Sequence, residues 1–64
     1  MNMNNMIEKT FKKYNRPLTS AEISEIMNKP KNHVNRKLKV MRKYGLVDIV
    51  KTDERGKRFW KYKG

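Results

Sequence analysis

Residues 18–38, LTSAEISEIMNKPKNHVNRKL, contain two helical segments separated by a short break, and this stretch decides the fold. Thr19 followed three residues later by Glu22 is a capping box, which marks the start of a helix. It predicts a helix over residues 20–27, where apolar residues recur at helical spacing. The break at 28–30, Asn-Lys-Pro, combines a residue that tolerates the left-handed conformation with a proline suited to the first turn of the next helix.

A third helix is predicted over residues 30–44, and Gly45 ends it. At 100° per residue, Val34, Leu38 and Met41 lie on one side of this helix. That apolar side is expected to face the core, and the opposite side is polar and basic. The residues on the opposite side are Asn32, Arg36, Lys39 and Lys43.

The first helix is predicted over residues 5–14, with Asn4 or Asn5 as its N-cap. It ends at 15–17, because the residue before a proline is disfavoured in the helical conformation. Leu18 then forms a short extended segment that could add a third strand. The apolar residues at helical spacing are Met6, Ile7, Phe11 and Tyr14, and Met3, Met6 and Ile7 suit either the core or a dimer surface.

Residues 46–62 predict a β-hairpin, with a β-branched strand at 46–50 and a turn at 52–56. On the returning strand at 57–63, Trp60 and Tyr62 share one face because side chains alternate along a strand. We expect these aromatic rings to pack beneath the hairpin.

The length and composition limit the chain to one domain and exclude several classes of protein. With 64 residues, a single domain is expected to span residues 1–64 without a linker or repeat. No stretch approaches the ~20 apolar residues of a membrane span, and the first residues lack the pattern of a secretory signal. The absence of cysteine excludes disulfides and thiolate sites. We expect an intracellular, cytoplasmic protein, associated with a nucleoid or a nucleus according to the host.

The basic charge is concentrated in one segment. The chain has a net charge of +11, and residues 29–45 carry seven basic residues and no acid. A coding bias toward lysine could account for the total, but it would not by itself remove every acid from this segment. A segregated basic surface predicts a polyanionic partner.

Three motifs resemble the winged helix-turn-helix family: LTSAEI at 18–23, PKNHVNRKL at 30–38 and YGLV at 44–47. The resemblance extends over about residues 5–62. It implies an α+β fold in which three helices precede a two-stranded hairpin, the wing. It also implies a small transcriptional regulator of a bacterium, an archaeon or their viruses, with the third helix in the major groove of double-stranded DNA and the wing on backbone or minor groove. Two positions depart from the family pattern: Asn28 replaces a frequent glycine, and Lys29 replaces an apolar residue.

A narrower pattern, at 30–38 and 59–61, is similar to the Z-DNA-binding Z-alpha domains. That similarity implies phosphate contacts by Lys31, Asn35 and Arg36, with support from Trp60. The family's base-stacking tyrosine falls at Lys39, and its wing prolines fall at Lys57 and Arg58. Ordinary B-DNA is therefore the favoured ligand, and a module that docks on RNA or protein is a further alternative.

The candidate nucleic-acid-binding residues differ in what they can recognise. Arg36 can pair bidentately with guanine, whereas Asn32 and Asn35 suit adenine or a phosphate. Lysine is a point charge and suits phosphate better than a base edge. The phosphate-binding candidates are Lys31, Lys37, Lys39 and Lys43 on the third helix and Arg55, Lys57 and Arg58 at the hairpin tip.

The remaining residues indicate no catalysis and no cofactor. His33 is the single histidine, and without cysteines it cannot build a tetrahedral zinc site. The serines are explained by helix positions, and the hairpin acids lie too near the turn to form an enclosed carboxylate pair. We expect no enzyme activity, no small-molecule substrate and no membrane partner. A homodimer is an open alternative.

Overall fold

The computed structural model describes residues 3–64, which form a small α+β domain of three helices and a three-stranded antiparallel sheet. The predicted α+β class, the hairpin and the short strand near Leu18 are confirmed. Within the described residues, no helix is long and apolar enough to cross a bilayer. In chain order the elements are α1 (Met3–Tyr14), β1 (Leu18–Thr19), α2 (Ser20–Met27), α3 (Lys31–Lys43), β2 (Val47–Thr52) and β3 (Arg58–Tyr62).

Helix α1 begins earlier than the predicted position 5. Asn4 and Asn5 lie inside the helix, so the prediction that one of them is the N-cap is wrong. Met3 and Met6 pack against the core beside the fully buried Ile7, which extends the apolar stripe by a turn. Both methionines are partly buried, and the apolar surface that they bury stabilises this end of the helix.

Helix α2 has the predicted bounds, and both of its ends are fixed by hydrogen bonds. The Thr19 hydroxyl accepts from the Glu22 N–H at 3.1 Å, and the Glu22 carboxylate accepts from the Thr19 N–H at 3.0 Å, which confirms the capping box. Asn28 follows the helix in the left-handed conformation, with φ 55°. The Lys29 N–H then donates to the Ser24 carbonyl at 3.1 Å. The chain therefore leaves α2 in a defined direction.

Helix α3 is one residue shorter at each end than the predicted 30–44. Pro30 has an extended ψ of 139° and is the N-cap, not a residue of the first turn. Its carbonyl accepts from the Val34 N–H at 3.2 Å, which is the first bond of the helix. Tyr44 is the C-cap.

Gly45 lets the chain turn sharply out of α3 toward the sheet. Its φ of +77° favours glycine, and its N–H donates to the Arg42 carbonyl at 3.0 Å. The Leu46 N–H donates to the Met41 carbonyl at 2.9 Å, which completes a Schellman motif. Leu46 therefore belongs to the helix cap, and β2 starts at Val47 instead of the predicted position 46.

The sheet has the strand order β1-β3-β2, so β3 is the central strand. Trp60 on β3 is paired with Leu18 on one side and Ile49 on the other. The register shifts between Ile49 and Lys51, which leaves Val50 as the extra residue of a bulge. Strand β2 extends through position 52, which the sequence assigned to the turn, and β3 covers less than the predicted 57–63.

The core lies where the three helices meet the inner face of the sheet. As predicted, Trp60 is buried beneath the hairpin, and the apolar side of α3 faces inward. The Tyr62 ring lies stacked at 6.3 Å from Phe11 of α1, so the sheet is joined to the first helix as well. The buried hydrophobic residues are Ile7, Phe11, Leu18, Ile23, Met27, Val34, Leu38, Met41, Val47 and Trp60.

Candidate nucleic-acid interface

A groove of about 420 Å³ lies between α3, the start of α2 and the hairpin tip. Its lining contains five basic side chains and no carboxylate. Six of the ten predicted site residues meet there, although they come from two distant parts of the sequence. They are Lys31, Asn35 and Lys39 from α3 and Arg55, Lys57 and Arg58 from the hairpin.

One wall of the groove is a single row of α3 side chains. Lys31, Asn35 and Lys39 are four residues apart, so they lie on the same side of the helix. The rise between neighbours in this row is about 6 Å. Both lysines are exposed and Asn35 is half-buried. The row therefore offers two cations with an amide between them to a ligand that runs along the helix.

The hairpin tip forms the opposite wall and is closed by one carboxylate. The Asp53 Oδ1 accepts from the Arg55 N–H at 3.0 Å and from the Lys57 N–H at 2.8 Å. The Asp53 N–H donates to the Lys57 carbonyl at 2.9 Å, and the Gly56 N–H donates to the Asp53 carbonyl at 3.0 Å. Gly56 has a φ of +83°, which suits glycine. The tip is therefore an ordered turn.

The other four predicted site residues lie outside the groove lining. Asn32, Arg36 and Lys43 are exposed on the side of α3 that points away from the core, next to the groove. Lys37 is half-buried and lies about 160° around the helix from Lys39, on the opposite flank. The predicted set is thus divided among the groove, the outward side of α3 and its far flank.

Two carboxylates near α1 and α2 are occupied by neighbouring side chains. The Tyr62 hydroxyl donates to Glu8 at 2.7 Å and Lys12 donates to it at 3.2 Å, and these hydrogen bonds lower the pKa of Glu8. The hydrogen bond between the Tyr62 hydroxyl and Glu8 raises the pKa of Tyr62. Arg16 donates to Glu22 at 3.0 Å, which is the main reason that the pKa of Glu22 is lowered. Neither carboxylate is in the groove lining.

A third carboxylate neutralises basic residues beside the sheet. Asp48 lies 3.2 Å from the Arg42 Nε and 3.9 Å from the Lys63 Nζ. Arg42 belongs to the acid-free segment of the sequence, and the fold supplies the acid that the segment lacks. In the part of the chain that the structure describes, the ion pairs involve none of the five basic residues of the groove.

Sequence reasoning based on charge missed the uncharged part of the groove. Ser20 and Ala21 line it because the capping box starts α2 at this point. Trp60 is only 3% exposed, yet part of it reaches the groove wall. The capping box was visible in the sequence, but its position beside the hairpin depends on how the hairpin folds over α3. The lining residues that charge does not predict are Thr19, Ser20, Ala21, Gly56 and Trp60, and of these the similarity to Z-alpha domains implies Trp60.

His33 is exposed on α3, outside the groove lining. Among residues 3–64, His, Asp and Glu side chains form no group of three that could bind a metal ion. Comparison with protein-family models, curated proteins and solved structures finds no match to this chain.

Proposed function

We propose that this chain is a winged helix-turn-helix protein that binds double-stranded DNA and acts as a small transcriptional regulator. In this proposal α3 enters the major groove and the hairpin, as the wing, contacts backbone or minor groove. The observation that carries the proposal is the groove, where five basic side chains converge with no carboxylate among them, beside the exposed side of α3.

The charge arrangement suits a phosphate backbone. Cations that already pair with acids gain little from a phosphate, because the acid must first be displaced. The basic side chains of the groove have no ion pair among the described residues, so a phosphate adds its full attraction. Each phosphate contact also releases a condensed counterion, which makes binding strongly dependent on salt.

The groove side and the outward side of α3 have different roles in recognition. The lysines of the groove bind phosphate and set affinity, since an ammonium group has no planar fork to match a base. Arg36 lies on the outward side, where its guanidinium reaches guanine O6 and N7 when the helix lies in the major groove. Affinity and sequence preference therefore come from different side chains.

An NMR titration with a short mixed-sequence B-DNA duplex at moderate salt tests the proposal. We expect the amide signals of residues 31–43 and 52–58 to shift, because these segments form the groove and the adjacent side of α3. The signals of α1 serve as the internal reference. Shifts confined to α1, or no shifts, would contradict DNA binding by this surface, and a preference for structured RNA or an acidic protein in competition would favour a docking module.

The substitution Arg36→Ala tests direct base readout. We expect it to weaken binding to the preferred duplex by about 1–3 kcal/mol and to relax the preference at one base pair. The control is Lys13→Ala, which removes one positive charge from an exposed residue of α1 outside the groove lining. Isothermal titration against the preferred and a scrambled duplex measures both affinities. Equal loss on the two duplexes would assign Arg36 to the backbone.

Left-handed DNA is a second candidate ligand, and one observation favours it. Lys31, Asn35 and Trp60 meet in the groove, and they are three of the four residues that the similarity to Z-alpha domains implies. The fourth, Arg36, lies outside the groove lining. Circular dichroism of an alternating d(CG) duplex tests this candidate. Inversion of the spectrum on addition of protein would support left-handed DNA, and an unchanged B-form spectrum would exclude it.

A further inference from the structure

The hairpin tip contains an acidic residue in the middle of a basic surface. Asp53 is half-buried and follows β2 directly, two residues before Arg55. Electrostatics alone makes this position unfavourable for a DNA-binding surface, since a carboxylate repels phosphate. Its hydrogen bonds give a reason for its presence.

Asp53 joins both sides of the turn through one oxygen atom. The Oδ1 accepts from the N–H groups of Arg55 and Lys57, two of the three basic residues with which the hairpin lines the groove. Hydrogen bonds to an ionised acceptor are stronger than those between neutral groups. The backbone positions of both cations therefore depend on this carboxylate.

We propose that Asp53 is a positioning residue of the nucleic-acid site, which orders the hairpin tip so that Arg55 and Lys57 face α3 across the groove. This inference rests on the proposed function for its effect on DNA binding, whereas the ordering of the tip is independent of any ligand. Asp53 itself touches no phosphate. Its two backbone hydrogen bonds stabilise the carboxylate in the turn, and the ordering of the tip outweighs the repulsion between this one acid and DNA.

The positioning role and simple electrostatics predict opposite effects of one substitution. Asp53→Ala removes a negative charge, so electrostatics alone predicts tighter DNA binding. If the carboxylate orders the tip, the same substitution lets the tip sample many conformations. A tip that is in the binding conformation a tenth of the time raises Kd about tenfold.

Two matched variants separate these effects. Asp53→Asn removes the charge but keeps an Oδ1 acceptor, so we expect the tip to stay ordered and DNA binding to equal or exceed that of the original protein. Glu54→Ala removes the neighbouring negative charge and leaves the hydrogen bonds of Asp53 in place. We expect it to bind DNA as tightly as the original protein or more tightly.

The experiment combines fluorescence anisotropy on a labelled B-DNA duplex with amide hydrogen exchange of the free protein. We expect D53A alone to bind more weakly, and its Arg55 and Lys57 amides to exchange faster than those of D53N or E54A. Tighter binding by D53A, or unchanged exchange at these two amides, would overturn the inference. Failure of the original protein to bind the duplex would overturn the proposed function, and the exchange measurement would still decide whether Asp53 orders the tip.

Discussion

The groove and the α1 side of the molecule are both basic, but their charges have different surroundings. On the α1 side, Lys12 lies 3.2 Å from Glu8 and Arg16 lies 3.0 Å from Glu22. In the groove, five basic side chains face one another without a carboxylate in the lining. The same residue types therefore stabilise the fold in one region and repel one another in the other.

This difference shows which basic surface is available to a ligand. Exposed ion pairs contribute at most about 1 kcal/mol each, so the α1 pairs are a small gain for folding. Like charges brought together by the fold oppose folding, and an approaching polyanion removes that repulsion. Net charge alone does not separate these two regions, whereas the placement of the acids does.

Removing two groove lysines is expected to have the largest effect on DNA binding. In the variant with Lys31→Ala and Lys39→Ala, the slope of log K against log salt should fall by about 2 in magnitude. At 0.1 M salt, Kd should rise about 60-fold, since each released counterion contributes about eightfold at that concentration. The melting temperature should stay equal or rise, because mutual repulsion decreases. Anisotropy titrations across a salt series and thermal melts measure these quantities.

The matched control for the groove variant is Lys12→Ala with Lys13→Ala on α1, which removes the same charge from the paired region. We expect its salt slope to stay within experimental error of the original protein. Equal losses in the two double variants would mean that total charge, and not the groove, determines binding. The difference in charge pairing between the groove and the α1 side would then be irrelevant to DNA binding.

Replacing Glu22 is expected to have an intermediate effect, on stability instead of binding. Glu22→Ala removes the ion pair with Arg16 and the carboxylate that accepts from the Thr19 N–H. We expect the free energy of unfolding in urea to fall by about 1 kcal/mol, as for the loss of a helix cap. Glu25→Ala is the control on the same helix and should change stability by less than about 0.5 kcal/mol. A changed salt slope for DNA binding in Glu22→Ala would contradict the separation of the two regions.

Local sequence signals predicted the helices and the hairpin because each signal acts over a few residues. The capping box at Thr19 and the left-handed position at Asn28 fixed α2 correctly, since both depend on neighbours in the chain. The start of α1 was predicted wrongly because it depends on Met3 packing against the core. The bulge at Val50 is not predicted, because the strand contains no glycine or proline to indicate an irregularity.

Composition and spacing predict which residues of α3 and the hairpin are basic, but not the shape of the groove that six of the ten candidates line. Periodicity predicts which side of α3 is buried, yet it does not tell which exposed flank the hairpin will cover. Charge therefore predicts the same role for Lys37 and Lys39, although they lie on opposite flanks of the helix. The sequence shows Asp53 only as an acid in a turn, because its hydrogen bonds to the Arg55 and Lys57 N–H groups exist only once the turn has formed.

The smallest expected effect is a pH dependence of stability on the paired side. The pKa of Glu8 in the folded protein lies below its ordinary value of 4.5, mainly because the Tyr62 hydroxyl donates to its carboxylate. A group with a lowered folded pKa stabilises the fold above its unfolded pKa, and this contribution is lost as the pH falls through the folded pKa. We therefore expect the melting temperature to decrease below pH 4.5 less steeply in Glu8→Gln than in the original protein.

The control for the pH dependence of the melting temperature is Glu25→Gln, because no hydrogen bond or ion pair of its carboxylate occurs among residues 3–64. It should reproduce the pH profile of the original protein, while Tyr62→Phe should resemble Glu8→Gln, since it removes the donor of the same bond. Parallel profiles for all four proteins would show that Glu8 contributes no pH-dependent stability. In that case the paired region and the groove would differ in geometry but not in how their charges couple to folding.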